Sequence, residues 1–171
     1  MKNQREKILK AAVNIFSRKG FHQAQVEEIA RRAGVGKGTI YLYYPGKSEL
    51  FAAAVSEGLE NIIEKIKQEL ESDLPFNEHF KKLIESNISL YLQYSDLARI
   101  ISSELSKGID PRALAEIEAV RGRYVQFVAG MLEDGCRRGY IKKVDFQLAA
   151  VGLVGLIDGL CSFHFKNKKM L

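Results

Sequence analysis

With 171 residues, 46% hydrophobic and 27% charged, the chain has the composition of an ordinary globular protein and is long enough to bury a real core. Three prolines, and no Asn-Gly or Asp-Gly turn flanked by alternating residues, argue for helices over a many-stranded sheet; two isolated cysteines, Cys136 and Cys161, exclude a disulfide framework and a C-x-x-C metal site. The net charge of +5 is lopsided: residues 1–50 hold ten Lys/Arg against four Asp/Glu, a net +6, which leaves the remainder at −1 and suits the N-terminal third to a polyanion.

The first helix is expected from Arg5 onward, where Ile8, Ala11, Ala12, Ile15 and Phe16 share one face. Lys19-Gly20 ends it, with Gly20 suited to the left-handed exit position. A short second helix carries Val26, Ile29, Ala30 and Ala33 and breaks at Gly34; a third runs from about Lys37 to Tyr43 and stops at Pro45-Gly46. Longer periodicities follow. Phe51 to Leu70 trace a helix over about 47–71, and Phe76 to Tyr91 trace another. Leu97, Ile100, Ile101 and Leu105 predict a shorter one closed by Gly108. Asp110-Pro111 is a cap followed by proline at the first helical position, opening a helix that ends at Arg137-Arg138-Gly139. Asp145 caps a last helix from Phe146 to about Phe165. Its apolar run, Leu148 to Leu160, is interrupted by Asp158 and three glycines and falls short of the roughly 20 residues of a membrane span. Lys2 to Lys10 lacks the apolar stretch of a signal peptide, so no membrane and a reducing cytoplasm are expected.

The expected fold class is all-α: an N-terminal three-helix helix-turn-helix domain over 1–46, then a five-helix domain over 47–171, joined by the fourth helix without a flexible linker. Two short helices around Gly34-Val35-Gly36 are the helix-turn-helix plan, whose second helix enters the major groove with its N-terminus first. Gly38 lets that terminus approach DNA closely. Lys37 suits a guanine edge or a phosphate, and Thr39 a phosphate or a thymine methyl. Tyr41 and Tyr43 offer hydroxyls at the groove's edge, and Lys47, at the start of the next helix, suits a phosphate. Ile40 and Tyr44 face inward, and Arg31-Arg32 reads as a solvated face.

The stretch Ile29-Ala30-Arg31-Arg32-Ala33-Gly34-Val35-Gly36-Lys37-Gly38-Thr39-Ile40-Tyr41, then Tyr43-Tyr44 and Lys47-Ser48-Glu49-Leu50-Phe51, resembles the DNA-binding signature of TetR-family regulators. Ile8 to Ala12 and Phe16 to Phe21 are similar to that family's first helix and its Gly-aromatic exit. The resemblance implies DNA contacts by Lys37, Gly38, Thr39, Tyr41, Tyr43 and Lys47, a homodimer on a pseudo-palindromic double-stranded operator, and repression until a small-molecule effector enters the C-terminal domain. It also implies a dimer interface built from the last two long helices, over 111–138 and 146–165. Two positions depart from the family: Ala24-Gln25 stands where many members carry hydroxyl residues that contact phosphate, and Gly36 where many carry Ser.

Gly152, Gly155 and Gly159 lie in the last helix near Leu156. Each interior Gly lowers helix stability by about 1 kcal/mol relative to Ala, which points to a close helix approach there. Tyr91, Tyr94, Tyr124, Phe127 and Met131 combine apolar bulk with a few polar tips and are the candidate effector pocket. No catalytic residues, metal site or cofactor are expected. P-loop, dinucleotide, H-E-x-x-H and G-x-S-x-G motifs are all missing, and His22, His79 and His164 are scattered. The alternatives are a ligand-independent or non-specific DNA-binding protein, and a helical small-molecule carrier.

Overall fold

The computed structural model describes residues 2–70, 75–97, 100 and 110–167. Among the described residues lie no strands and seven long or short helices: α1 (Lys2–Gln23), α2 (Val26–Ala33), α3 (Lys37–Tyr43), α4 (Lys47–Leu70), α5 (Phe76–Gln93), α6 (Pro111–Arg137) and α7 (Phe146–Asn167). The fold is all-α, as the periodicities require. The helix expected over 97–105 lies outside the described residues except for Leu97 and Ile100, both buried.

The helix ends follow local chemistry. Gly34 takes a left-handed conformation (φ 69°, ψ 35°), and the Val35 N–H donates to the Ala30 carbonyl at 3.0 Å. Asp110 accepts from the N–H groups of Arg112 and Ala113 at 2.9 and 3.3 Å. Asp145 accepts from the Leu148 N–H at 2.9 Å. Gly20 differs from expectation. Its φ of 74° is positive but its ψ is 171°, so it kinks α1 instead of ending it, and residues up to Gln23 complete another turn. The kink brings Phe21 to 5.2 Å from Phe51, itself 5.0 Å from Phe16 in an edge-on pair.

The helices gather into two compact units, residues 1–59 with 95–118 and residues 60–94 with 119–171. In the first, α2 packs on α1 and α3. Ile8, Ala12, Phe16, Ile29, Leu50 and Phe51 are fully buried, each side chain of Leu, Ile or Phe size adding about 1.5–3 kcal/mol. Arg5 and Glu57 fasten α1 to α4, both terminal guanidinium nitrogens donating to the carboxylate, one bond at 2.7 Å. In the second unit, Ile66, Leu70, Leu83, Leu90, Tyr124, Val128, Leu132 and Ala150 form the core. Phe76 occupies the space a side chain at Gly135 would need: a Cβ there would lie 2.2 Å from the ring. Arg121 pairs with Asp158 across α6 and α7.

α7 corrects the expectation that its apolar run is too short for a span. Phe146–His164 is a 19-residue window of mean hydropathy 1.7, long and apolar enough by length and composition, with only 17% of it buried. Glycines do not lower the hydropathy of a helix much, and one aspartate does not offset the leucines and valines. Leu148, Val151, Leu156 and Leu160 are each at least half exposed, and together with Gly152, Gly155 and Gly159 they recur at helical spacing along one face.

Candidate nucleic-acid interface

α3 is held from within by Ile40, and Tyr44 just beyond it is also buried. Fixing those two inward turns the opposite face to solvent: Lys37, Gly38, Tyr41 and Leu42 are all exposed, while Thr39 and Tyr43 are half-buried. No heavy atom lies within 4 Å of the place a Cβ would occupy on Gly38. The N-terminal part of α3 is therefore a low, open surface that a groove wall can approach, the geometry a recognition helix needs.

The cations around it differ in their engagement. Lys37 pairs with Glu27 of α2, and its ammonium also stands 5.7 Å from the centre of the Tyr41 ring. The hydrogen bond from Lys37 holds the Glu27 carboxyl below the usual range, and Glu27 in turn raises Lys37. Lys37 thus stays charged at any physiological pH, with its head restrained beside the helix it serves. Nothing in the sequence announces the part that Glu27 plays. The pairing crosses from α2 to α3 around a turn, and no spacing within one helix reveals it.

Lys47 sits where expected, near the first turn of α4, but its ammonium donates to the carbonyls of His22 and Ala24 at 3.2 and 3.3 Å and lies 4.7 Å from the centre of the Phe21 ring. It fastens the α1–α2 turn. Neither Gln25 before α2 nor Gly36 before α3 makes a side-chain capping hydrogen bond. Arg31 and Arg32 are exposed at the C-terminal end of α2, where positive charge favours the helix dipole.

In the second unit, four of the five pocket candidates come together. Tyr124 belongs to the core, and Tyr94, Phe127 and Met131 pack against it. Their polar tips are engaged: the Tyr124 hydroxyl donates to Asn87 Oδ1 at 2.8 Å, and Lys65 donates to the Tyr94 hydroxyl. Burial pushes the Tyr124 hydroxyl up to about 12. Tyr91 is half-buried. Burial and then the charge of Asp158 push it up to about 12, and Cys161, raised mainly by burial, lies in the same surroundings. Among the described residues no group of three or more His, Cys, Asp or Glu is placed to hold a metal ion.

Comparison with known proteins agrees with this architecture. The family model for bacterial regulatory proteins of the tetR family matches residues 8–54, and a tetracyclin repressor-like C-terminal domain model matches residues 73–162. The chain is 31% identical over 162 residues to the fatty acid metabolism regulator protein of Bacillus subtilis, covering 92% of this chain and 83% of that one. It is 28% identical over 169 residues to the HTH-type transcriptional repressor NicS of Pseudomonas putida, covering 98% and 78%. Among solved structures, FadR of Bacillus subtilis in complex with stearoyl-CoA superposes with a TM-score of 0.88 at 28% identity, covering 97% of this chain and 89% of that one. FadR of Bacillus halodurans gives the same TM-score and coverage at 26% identity. The chain belongs to the TetR family, and it is a helix-turn-helix DNA-binding transcriptional regulator.

Proposed function

We propose that the protein is a cytoplasmic, homodimeric repressor that reads a pseudo-palindromic operator with α3 and is released by a small-molecule effector. The observation that carries the DNA reading is the face of α3, where Lys37 and Tyr41 stand exposed beside a Gly38 with open space above it. Gly38 lets the helix start approach, Lys37 meets a guanine edge or a phosphate, Thr39 a phosphate or a thymine methyl, and Tyr41 and Tyr43 offer hydroxyls to phosphates at the groove's edge. Lys47 acts from behind, fixing the turn that presents α2 and α3. Residues 1–46 carry the DNA-binding role, and residues 47–171 carry dimerisation and effector binding. The protein works as a binding module, not an enzyme.

The dimer would form on α6 and α7. The exposed face of α7 carries Leu148, Val151, Leu156 and Leu160, interleaved with Gly152, Gly155 and Gly159, while α6 exposes Gly122 and Gly130; a Cβ added at any of these glycines would meet nothing within 4 Å inside the chain. An apolar stripe of this kind is covered well by its own two-fold copy, and the pairing sets two recognition helices on one face of the DNA.

The effector is a long-chain acyl-CoA or a close chemical relative. Tyr94, Tyr124, Phe127 and Met131 supply an apolar lining, and Lys65 and Lys67 lie over the Tyr94 and Phe127 rings at 5.0 and 5.3 Å, cations suited to an anionic head. The stearoyl-CoA held by FadR of Bacillus subtilis has that combination of tail and charge. Occupation of the site would move α4 and change the separation of the recognition helices. The experiment is fluorescence anisotropy on a selected operator duplex, titrated with stearoyl-CoA and with free CoA. Release by stearoyl-CoA alone is expected. Tight ligand binding with unchanged operator affinity would contradict the coupling.

A further inference from the structure

Leu42 is the most exposed large hydrophobic side chain among the described residues, at 85%. A lone exposed leucine is ordinary on a protein surface; its place in the fold is what makes this one informative. It lies four residues after Gly38, on the same face of α3 and one turn along. Helical side chains lean toward the N-terminus of their helix, so Leu42 borders the bare surface at Gly38, where an added Cβ would still meet nothing within 4 Å. Its polar neighbours on that helix are Lys37, which pairs with Glu27, and Tyr41, whose ring lies 5.7 Å from the Lys37 ammonium. An isobutyl group has no donor or acceptor for a phosphate or a base edge. In the major groove the apolar feature it can cover is the 5-methyl group of thymine.

We infer that Leu42 is a specificity-determining residue that packs on a thymine methyl in each operator half-site. The inference rests on the reading of α3 as the recognition helix. Thymine's methyl would be dehydrated against Leu42 while Gly38 keeps the backbone low enough for the two to meet. Sequence preference at that base pair would then come from an apolar contact, and it would survive at salt concentrations that weaken the phosphate contacts.

The test uses the full-length chain. Duplexes bound from a random-sequence library are enriched for the wild type and for Leu42→Ala, and the thymines of the wild-type site are then replaced one at a time by deoxyuridine, which lacks only the methyl. One thymine per half-site is expected to matter, with binding weakened about fourfold per half-site and on the order of fifteenfold when both are replaced. Leu42→Ala is expected to lose the preference at that position and to be indifferent to deoxyuridine, whereas Leu42→Met, still apolar, keeps both. Circular dichroism checks that each variant folds, as a surface position should allow. The inference is overturned if the wild type binds every deoxyuridine duplex as tightly as its parent. It is equally overturned if Leu42→Ala loses affinity evenly across sequences while keeping its deoxyuridine sensitivity. Failure of the library to enrich any site would instead remove the recognition-helix reading beneath it.

Discussion

Replacing Gly155 by Ala separates the two explanations for the glycines of α7, because they predict opposite signs. Within one chain, no heavy atom lies within 4 Å of the place the new methyl would take. Removing an interior glycine from a helix should then stabilise the folded chain by about 1 kcal/mol. If a partner helix passes over the same spot, the methyl must be accommodated at a close helix contact. Such small-to-large changes weaken packing by about 1–3 kcal/mol. A two-fold interface repeats the change, giving roughly 2–6 kcal/mol and a dimer about thirtyfold to twenty-thousandfold weaker. Sedimentation equilibrium over a dilution series measures the dimer constant, and urea unfolding at a concentration below it measures the chain. The account expects a weaker dimer built from a sturdier protomer. A dimer constant unchanged or tightened, alongside the stability gain, would show that α7 does not meet its copy at Gly155.

Three further outcomes are expected. Gly135→Ala should destabilise the protein despite Ala's better helix propensity, because its methyl would lie 2.2 Å from the Phe76 ring, itself stacked against Phe80 and Tyr140; a raised urea midpoint would contradict the packing. Tyr124, at about 12, is raised above its unfolded value near 10, so its contribution is complete below pH 10 and fades as pH climbs toward 12. Tyr124→Phe should remove up to about 2–3 kcal/mol of that alkaline loss, and an unfolding series from pH 9 to 12 in which both proteins fall in parallel would refute it. Glu27→Gln should free Lys37 and raise affinity for any duplex at fixed salt, sequence-independent DNA included; unchanged affinity would mean that the pair does not restrain Lys37 on DNA.

The sequence revealed the fold where local chemistry decides it. Gly34, Asp110-Pro111, Asp145 and Gly139 are punctuation with a mechanism, and the helices they bound end within a residue or two of where the periodicity places them. Gly20 shows the limit. A glycine after Lys19 is read as an exit, but the packing of Phe21 onto Phe51 draws the chain through one more turn, and only tertiary contact records that. The exposed face of α3 was legible as a set of residue types, since Ile40 and Tyr44 fix its inside. The engagement of each cation was not: Glu27 and Lys37 meet around a turn, and Lys47 reaches back to backbone carbonyls that no side-chain pattern announces. Among the aromatic candidates, Tyr91 and Tyr124 both feel the charge of Asp158 from the last helix, a placement that only helix packing records.

The most direct test of the account is the ratio of affinities for a selected operator duplex and a scrambled one, at a single salt concentration, for the wild type and for the Lys37→Ala, Tyr41→Ala double variant. A wild-type ratio of at least about a thousandfold is predicted, falling by about tenfold or more in the variant with fold and dimer intact. A wild-type ratio near unity, or a ratio the double variant leaves unchanged, would contradict the claim that α3 reads the DNA.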